Sequence, residues 1–397
     1  MAIDADVLIV GAGLFGVTAA RELRARGSSV MIIDGGPLPR PLAASFDISK
    51  VVRIEYGRDL EYMILAEQAR EGWLRWNTGL FAEPLYHEVG ILRLTRSPMA
   101  PGSHEYDNFQ ALAERGHQPE RLTQSDIAER FPAWNSHLYV DGYLNPKGGY
   151  VEAGLVVEEL VRHAALEGVA FRTGYTVTAI HERPGHIHRV DTQEHETFSA
   201  RDVLVTAGAW TPLLVPELRT ALRPTGQPVF HLRPLDPSLF AAARFPVFSA
   251  DRTHNGWYGF PLHPRAGVVK IANHVPGWPV DPVNDARTIP ERYVERLRHF
   301  VAETFPTLAD APISHMRCCL YCDTPDEHFW IARHPTRRGL TIASGDSGHA
   351  FKFGPLLGGW IADAVEGRPN ATLRRFSWRT ATQETVGMEG SRYRGDA

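Results

Sequence analysis

The chain has 397 residues, more than one hydrophobic core usually serves, so two compact units are expected. Its 42 Lys and Arg against 46 Asp and Glu leave a net charge of −4, with no basic surplus to displace counterions from a phosphate backbone, which argues against nucleic acid as a partner. Hydrophobic residues at 43% and charged residues at 22% are globular values, and no stretch approaches the ~20 apolar residues of a membrane helix.

The opening reads as βαβ. Val7-Leu-Ile-Val10 is a continuous apolar strand, Leu14 to Arg26 has helical spacing, Gly27 stops that helix, and Val30-Met-Ile-Ile33 is the next buried strand. A helix is predicted from Leu60 to Trp76. From Gly90-Ile-Leu-Arg-Leu94 the pattern turns to short strands and Pro-containing loops. The α/β pattern returns near Gly148-Gly149, with a helix from Val151 to Leu166 and strands at Val169–Phe171, Thr176–Ile180 and Val203–Thr206. Strands dominate again from Pro224 to Tyr321 around one helix, Pro290 to Glu303. A strand, Leu340–Ala343, and a helix from Gly348 to Val365 follow.

These segments interleave. The expected fold is α/β in two domains: a discontinuous Rossmann-like dinucleotide-binding domain (1–87, 150–223 and 326–397) and an antiparallel β-rich substrate domain inserted into it (88–149 and 224–325).

Gly11-Ala-Gly13-Leu14-Phe15-Gly16 follows the first strand and opens the first helix. Gly11 permits the tight turn, Gly13 lets the backbone reach a pyrophosphate, and Gly16 allows helix and strand to pack closely. The helix N-terminus offers N–H groups to the phosphates. Asp34, ending the second strand, can accept from a ribose 2′-OH. The motif does not choose between FAD and NAD. Cys318, Cys319 and Cys322 lie in one short segment and cannot form a disulfide framework. No second Cys/His pair stands at ligand spacing, so no metal is expected. The acidic start, Met1 to Asp6, lacks the basic flank of a signal peptide, and the Arg394-Gly-Asp-Ala397 end carries no targeting signal. A soluble, cytoplasmic protein is the expectation.

Two C-terminal stretches, Arg317-Cys-Cys-Leu-Tyr-Cys-Asp-Thr-Pro-Asp-Glu-His-Phe329 and Gly345-Asp-Ser-Gly-His-Ala-Phe-Lys-Phe353, resemble the signatures of the sarcosine oxidase family of flavoenzymes, to which the fructosyl amino acid oxidases (amadoriases) are related. The likeness extends over nearly the whole chain. It takes in Lys50-Val-Val-Arg53, His87-Glu-Val-Gly-Ile-Leu92, Gly208-Ala-Trp210, Tyr258-Gly-Phe-Pro261 and Gly267-Val-Val-Lys270.

The resemblance implies FAD, held through Gly11, Gly13, Leu14, Phe15, Gly16, Asp34, Lys50, Val177, Gly208, Trp210, Gly348, His349, Ala350, Phe351 and Lys352. It also implies a covalent 8α-S-cysteinyl link through Cys319, whose thiolate would be favoured by a nearby cation such as Arg317. Arg53 and Lys352 would clamp a substrate carboxylate, and Tyr258, His274 and Tyr321 would line the pocket. Lys270 would face the flavin, where oxygen is reduced. Strand alternation puts its side chain opposite Val269 and Ile271, on what is ordinarily a solvated face.

The implied reaction is oxidation of the secondary amine of an N-substituted or cyclic amino acid, by hydride transfer to flavin N5. It gives an imine and turns O2 into H2O2, in a monomeric enzyme with neither nucleic-acid nor membrane partner.

Some residues lean to the amadoriase side: Asp47-Ile-Ser-Lys50, Asp323-Thr-Pro-Asp326, Pro276-Gly-Trp278 and Phe376-Ser-Trp-Arg379, with Arg392 or Arg394 as a further carboxylate ligand. His274 and Tyr321 lean to sarcosine oxidase. A fructosyl amino acid oxidase releasing glucosone, a dehydrogenase of the same fold and a non-catalytic dinucleotide-binding protein remain as alternative readings.

Overall fold

The computed structural model describes residues 3–183, 187–252, 254–380 and 392. Its first layer is an eight-stranded sheet. Five strands run parallel in the order Ala170–Thr173, Val30–Asp34, Ala5–Val10, Thr197–Val205, Leu340–Ser344, and Trp330–Arg333 closes that edge antiparallel. A hairpin, Val177–Arg183 and Ile187–Thr192, pairs with the start of Thr197–Val205.

Central parallel strands are covered on both faces, which explains their unbroken apolar runs. Val7 and Ile9 enter one core, and Leu8 and Val10 the other. Helix Leu14–Ala25 packs between Ala153–Leu166 and Gly354–Glu366 on the first face.

The second layer is a nine-stranded, mostly antiparallel sheet. It runs Glu120–Thr123, Asp141–Asn145, Ile91–Thr95, Val247–Ala250, Trp257–Leu262, Val269–Asn273, Arg223–Leu232, Ile313–Asp323, with Trp278–Pro279 beside the start of Arg223–Leu232. Leu92, Leu94, Phe230, Val269 and Ile271 form one face, which packs against Tyr293, Leu297 and Phe300 of helix Glu291–Thr304. Alternation sends Ile91, Arg93 and Lys270 to the other face. A small sheet of Lys50–Val52, Gly149–Val151 and Tyr86–His87 completes the β-structure.

Two readings of the sequence are corrected. The stretch after Gly90, taken as strands and loops, also holds two helices, His104–Glu114 and Gln124–Arg130. Ser103 caps the first by accepting from the Tyr106 N–H, and Thr123 with Asp126 makes a capping box on the second. The last long helix begins at Gly354, not Gly348: positive φ at Ser347 and Gly348 breaks the chain, and a 3-10 turn over Phe351–Phe353 intervenes. Lys270, on the face opposite Val269 and Ile271, is 1% exposed. No helix among the described residues is long and apolar enough to cross a membrane.

Candidate active site

The glycine turn is tight because the chain needs the space a Cβ would fill. Gly11 has φ +107°, and a Cβ there would stand 2.7 Å from the Thr206 carbonyl oxygen. On Gly16 it would stand 2.0 Å from the Gly11 oxygen. Helix Leu14–Ala25 has Gly13 as N-cap and no side-chain cap, so its first-turn N–H groups are left to an anionic ligand. Asp34 accepts from the Ala12 N–H at 2.9 Å and from the Gly36 N–H and Arg40 at 3.1 and 3.2 Å, which fixes its carboxylate beside the turn.

These groups open onto a cleft of about 990 Å³ whose walls include Gly11, Gly13, Leu14, Phe15 and Asp34. Farther along they are Gly208, Trp210, Gly348, Ala350 and Phe351. Val177 lies beyond Asp34, in a groove that continues past the strand ends. A bare turn backed by an uncapped helix and an acid is the shape and donor set that a dinucleotide requires, so the residues present fit one.

Lys50, Tyr321, Gly348 and Phe351 also wall a second cavity, of about 770 Å³, roofed by the nine-stranded sheet. Arg53, Tyr258, His274, His349 and Lys352 line it. His349 and Lys352, expected at the cofactor, thus stand on this cavity, and Gly16 sits behind the dinucleotide cleft rather than on it. Lys352 Nζ donates to Tyr56 Oη at 3.0 Å and to the His349 carbonyl at 2.5 Å. Tyr56 Oη meets His349 Nδ1 at 2.9 Å. Arg53 lies over the Tyr56 ring and donates to the Glu55 carbonyl. Two cations from segments three hundred residues apart are thereby fixed by one tyrosine.

Behind the shared wall is a buried ionic cluster. Lys270 Nζ donates to Asp47 Oδ2 at 2.7 Å and to the Ser49 carbonyl at 2.5 Å, and lies over the Phe260 ring. Lys50 Nζ is 3.5 Å from Asp47 and 3.6 Å from Cys319 Sγ. Burial alone would raise the Asp47 carboxyl, but Lys270 and Lys50 hold it well below its ordinary range. Lys270 has a single carboxylate against burial and the Lys50 charge, and its pKa falls to about 8. Burial also pushes the Cys318 and Cys322 thiols up to about 12. Cys319 shares a face of its strand with Tyr321, and Cys318 points the other way, toward Ala209.

Two of the amadoriase-leaning acids lie elsewhere. Asp326 takes both ends of the Arg379 guanidinium, and Asp323 pairs with Arg392 at 2.8 Å. Neither acid lines the cavity. Arg392 is buried beside Tyr321, paired to Asp323 and Glu327, and Arg394 falls outside the described residues. Sequence reasoning missed Tyr56, Arg93, Phe260 and the partners of Asp47. Only the side-chain alternation of Ile91–Thr95 could have pointed to Arg93, since Leu92 and Leu94 fix which face is core.

The family model described as FAD dependent oxidoreductase matches residues 6–364. The chain is 28% identical to L-saccharopine oxidase of Schizosaccharomyces pombe, over 91% of this chain and 90% of that one. It is 26% identical to monomeric sarcosine oxidase of an Arthrobacter species, over 94% and 96%. The solved fructosamine oxidase (Amadoriase II) of Aspergillus fumigatus superposes with a TM-score of 0.84 at 25% identity, covering 100% of this chain and 94% of that one.

Proposed function

The chain belongs to the FAD dependent oxidoreductase family, and from that premise we propose that it is an oxidase of secondary amines in N-substituted or cyclic amino acids. The observation that carries the reading is the pairing of Arg53 and Lys352 on one cavity that shares its wall with the dinucleotide cleft. A planar guanidinium and an ammonium aimed at one buried spot select a carboxylate, and they do so with little reorganisation because Tyr56, Glu55 and His349 already hold them.

The same cations disfavour a protonated amine nearby, so the substrate nitrogen is kept neutral, as loss of a hydride from the adjacent C–H requires. Bound in the cleft, FAD supplies the acceptor for the hydride equivalent and the route by which O2 becomes H2O2. Phe260, Tyr258 and Val247 keep water from the cavity wall. Lys270, charged below about pH 8, sets a fixed positive charge behind that wall, suited to stabilising the anion formed as oxygen is reduced. Cys319, next to the Lys50 ammonium, is the residue for a thioether to the cofactor.

The reading is tested by acid-precipitating the purified protein and by mixing native protein anaerobically with sarcosine, pipecolate, N-methyltryptophan, fructosyl-glycine or N-(3-carboxypropyl)glycine. A yellow pellet and bleaching by a secondary amine are expected. A colourless pellet removes the thioether. No bleaching by any amine removes the oxidase, and bleaching by fructosyl-glycine alone, with glucosone released, moves the assignment to an amadoriase.

A further inference from the structure

Four basic side chains, Lys50, Arg53, Arg93 and Lys352, line the cavity, and no acidic residue among the described residues does. Three are held locally: Lys50 by Asp47, Arg53 by the Glu55 carbonyl and Lys352 by Tyr56 and His349. Arg93 is not. It is 2% exposed, and its Nε and Nη1 have no hydrogen-bond partner among the described residues. Leaving a guanidinium buried and unpaired is strongly unfavourable unless a ligand of opposite charge meets it.

Its position is set by the strand. Leu92 and Leu94 turn into the core beneath the sheet, so Ile91 and Arg93 face the cavity. Across the ladder its neighbours are Tyr143 and Ser249. The Tyr143 hydroxyl is likewise buried, with no partner among the described residues, and Ser249 lines the cavity. Glu105 lies within electrostatic reach of Arg93 but makes no ion pair with it among the described residues, and burial raises its carboxyl pKa, which weakens it as a counter-charge.

Resting on the oxidase reading and its Arg53–Lys352 clamp, we propose that Arg93 binds a second carboxylate, carried on the substituent across the amine nitrogen from the first. The preferred substrates are then N-(carboxyalkyl) amino acids, with N-methyl and plain N-alkyl amino acids as poor ones. Anchoring both ends of the molecule would hold the amine between them against the cofactor wall, and a neutral substituent would leave the Arg93 charge buried and unpaired.

The test compares kcat/KM of the FAD-loaded protein for N-(3-carboxypropyl)glycine and its neutral isostere N-(3-carbamoylpropyl)glycine, with shorter and longer chains of each, because the carboxylate spacing selects among them. The acid is expected to win by about 10²-fold at its best length, the scale on which a buried charge pair discriminates. Arg93→Met should bring that ratio near one, and Arg93→Lys should restore part of it.

Ser249→Asp, which sets a fixed carboxylate beside Arg93, should lower the ratio without removing the arginine. Calorimetry with glutarate, which cannot be oxidised, should show roughly tenfold or greater weakening in Arg93→Met, independently of turnover. Oxidation of the amides as fast as the acids at every length, or a preference that survives Arg93→Met, overturns the proposal and leaves the oxidase standing. Absence of reduction by every member of the series overturns both.

Discussion

The dinucleotide cleft and the amine cavity share a wall but are built on opposite principles. The end of the cleft that faces the first helix is made mostly by backbone: a glycine turn, an uncapped helix end and one acid, all within residues 11–34. The cavity is made by side chains from segments scattered between Lys50 and Lys352, and much of it is charged. A backbone cradle needs only shape, so its failures are steric. Charges in and behind such a cavity depend on one another, so a change at one member is felt by its neighbours, as with Asp47, Lys50 and Lys270.

That contrast can be broken most directly at Asp47. Asp47→Asn removes the only carboxylate among the described residues that Lys270 contacts and should destabilise the protein by about 3 kcal/mol in urea titration, while Asp47→Asn with Lys270→Met should recover most of the loss. An uncoupled, additive result would deny that the cluster acts as a unit. Gly16→Ala tests the steric side. Its Cβ would meet the Gly11 oxygen and Thr206 Oγ1, so a loss of about 3 kcal/mol is expected, with FAD content falling in parallel.

Lys270→Met should slow reoxidation of the reduced protein by roughly 10²-fold in stopped flow, with reduction by substrate much less affected. In the wild type this rate should fall as pH rises through about 8, because the lysine gives up its charge there. Asp47 raises the Lys270 pKa, so Asp47→Asn should move that fall to lower pH. A flat profile would remove Lys270 from the oxygen step.

The sign for stability is opposite: the folded lysine holds its proton less tightly than the unfolded one, so its contribution improves from about pH 8 toward its ordinary value near 10.5. Gly13→Ala should have the smallest effect on folding, under about 1 kcal/mol, since its Cβ meets only Ser45 Oγ at 3.3 Å. Its cost should appear in FAD affinity instead.

The same contrast governs how much could be read beforehand. The βαβ opening, the glycine turn and Asp34 are local, and periodicity with spacing was enough to find them. Arg53, Lys270, Cys319 and Lys352 were singled out through family resemblance, because nothing near them in the chain says what they face. Asp47 and Lys270 are 223 residues apart in the chain, a contact no local pattern encodes. Helices His104–Glu114 and Gln124–Arg130 are short and interrupt a run of strands, so the strand pattern around them hides them, and their caps at Ser103 and Thr123 emerge only in the structure. The late start of helix Gly354–Glu366 depends on positive φ at Ser347 and Gly348, a choice made by tertiary packing, since Gly348 abuts the Tyr321 ring.

Three adjacent strands of the parallel sheet, Ala5–Val10, Thr197–Val205 and Leu340–Ser344, come from the beginning, middle and end of the chain. During synthesis at about 5–20 residues per second the first strand must therefore wait roughly tens of seconds for the last. Throughout that interval the glycine turn exists as sequence while its sheet does not. Capture of the cofactor thus waits until Leu340–Ser344 has been made, and a ribosome-bound fragment ending before Leu340 would present an open, unpaired strand edge to chaperones instead of a binding site.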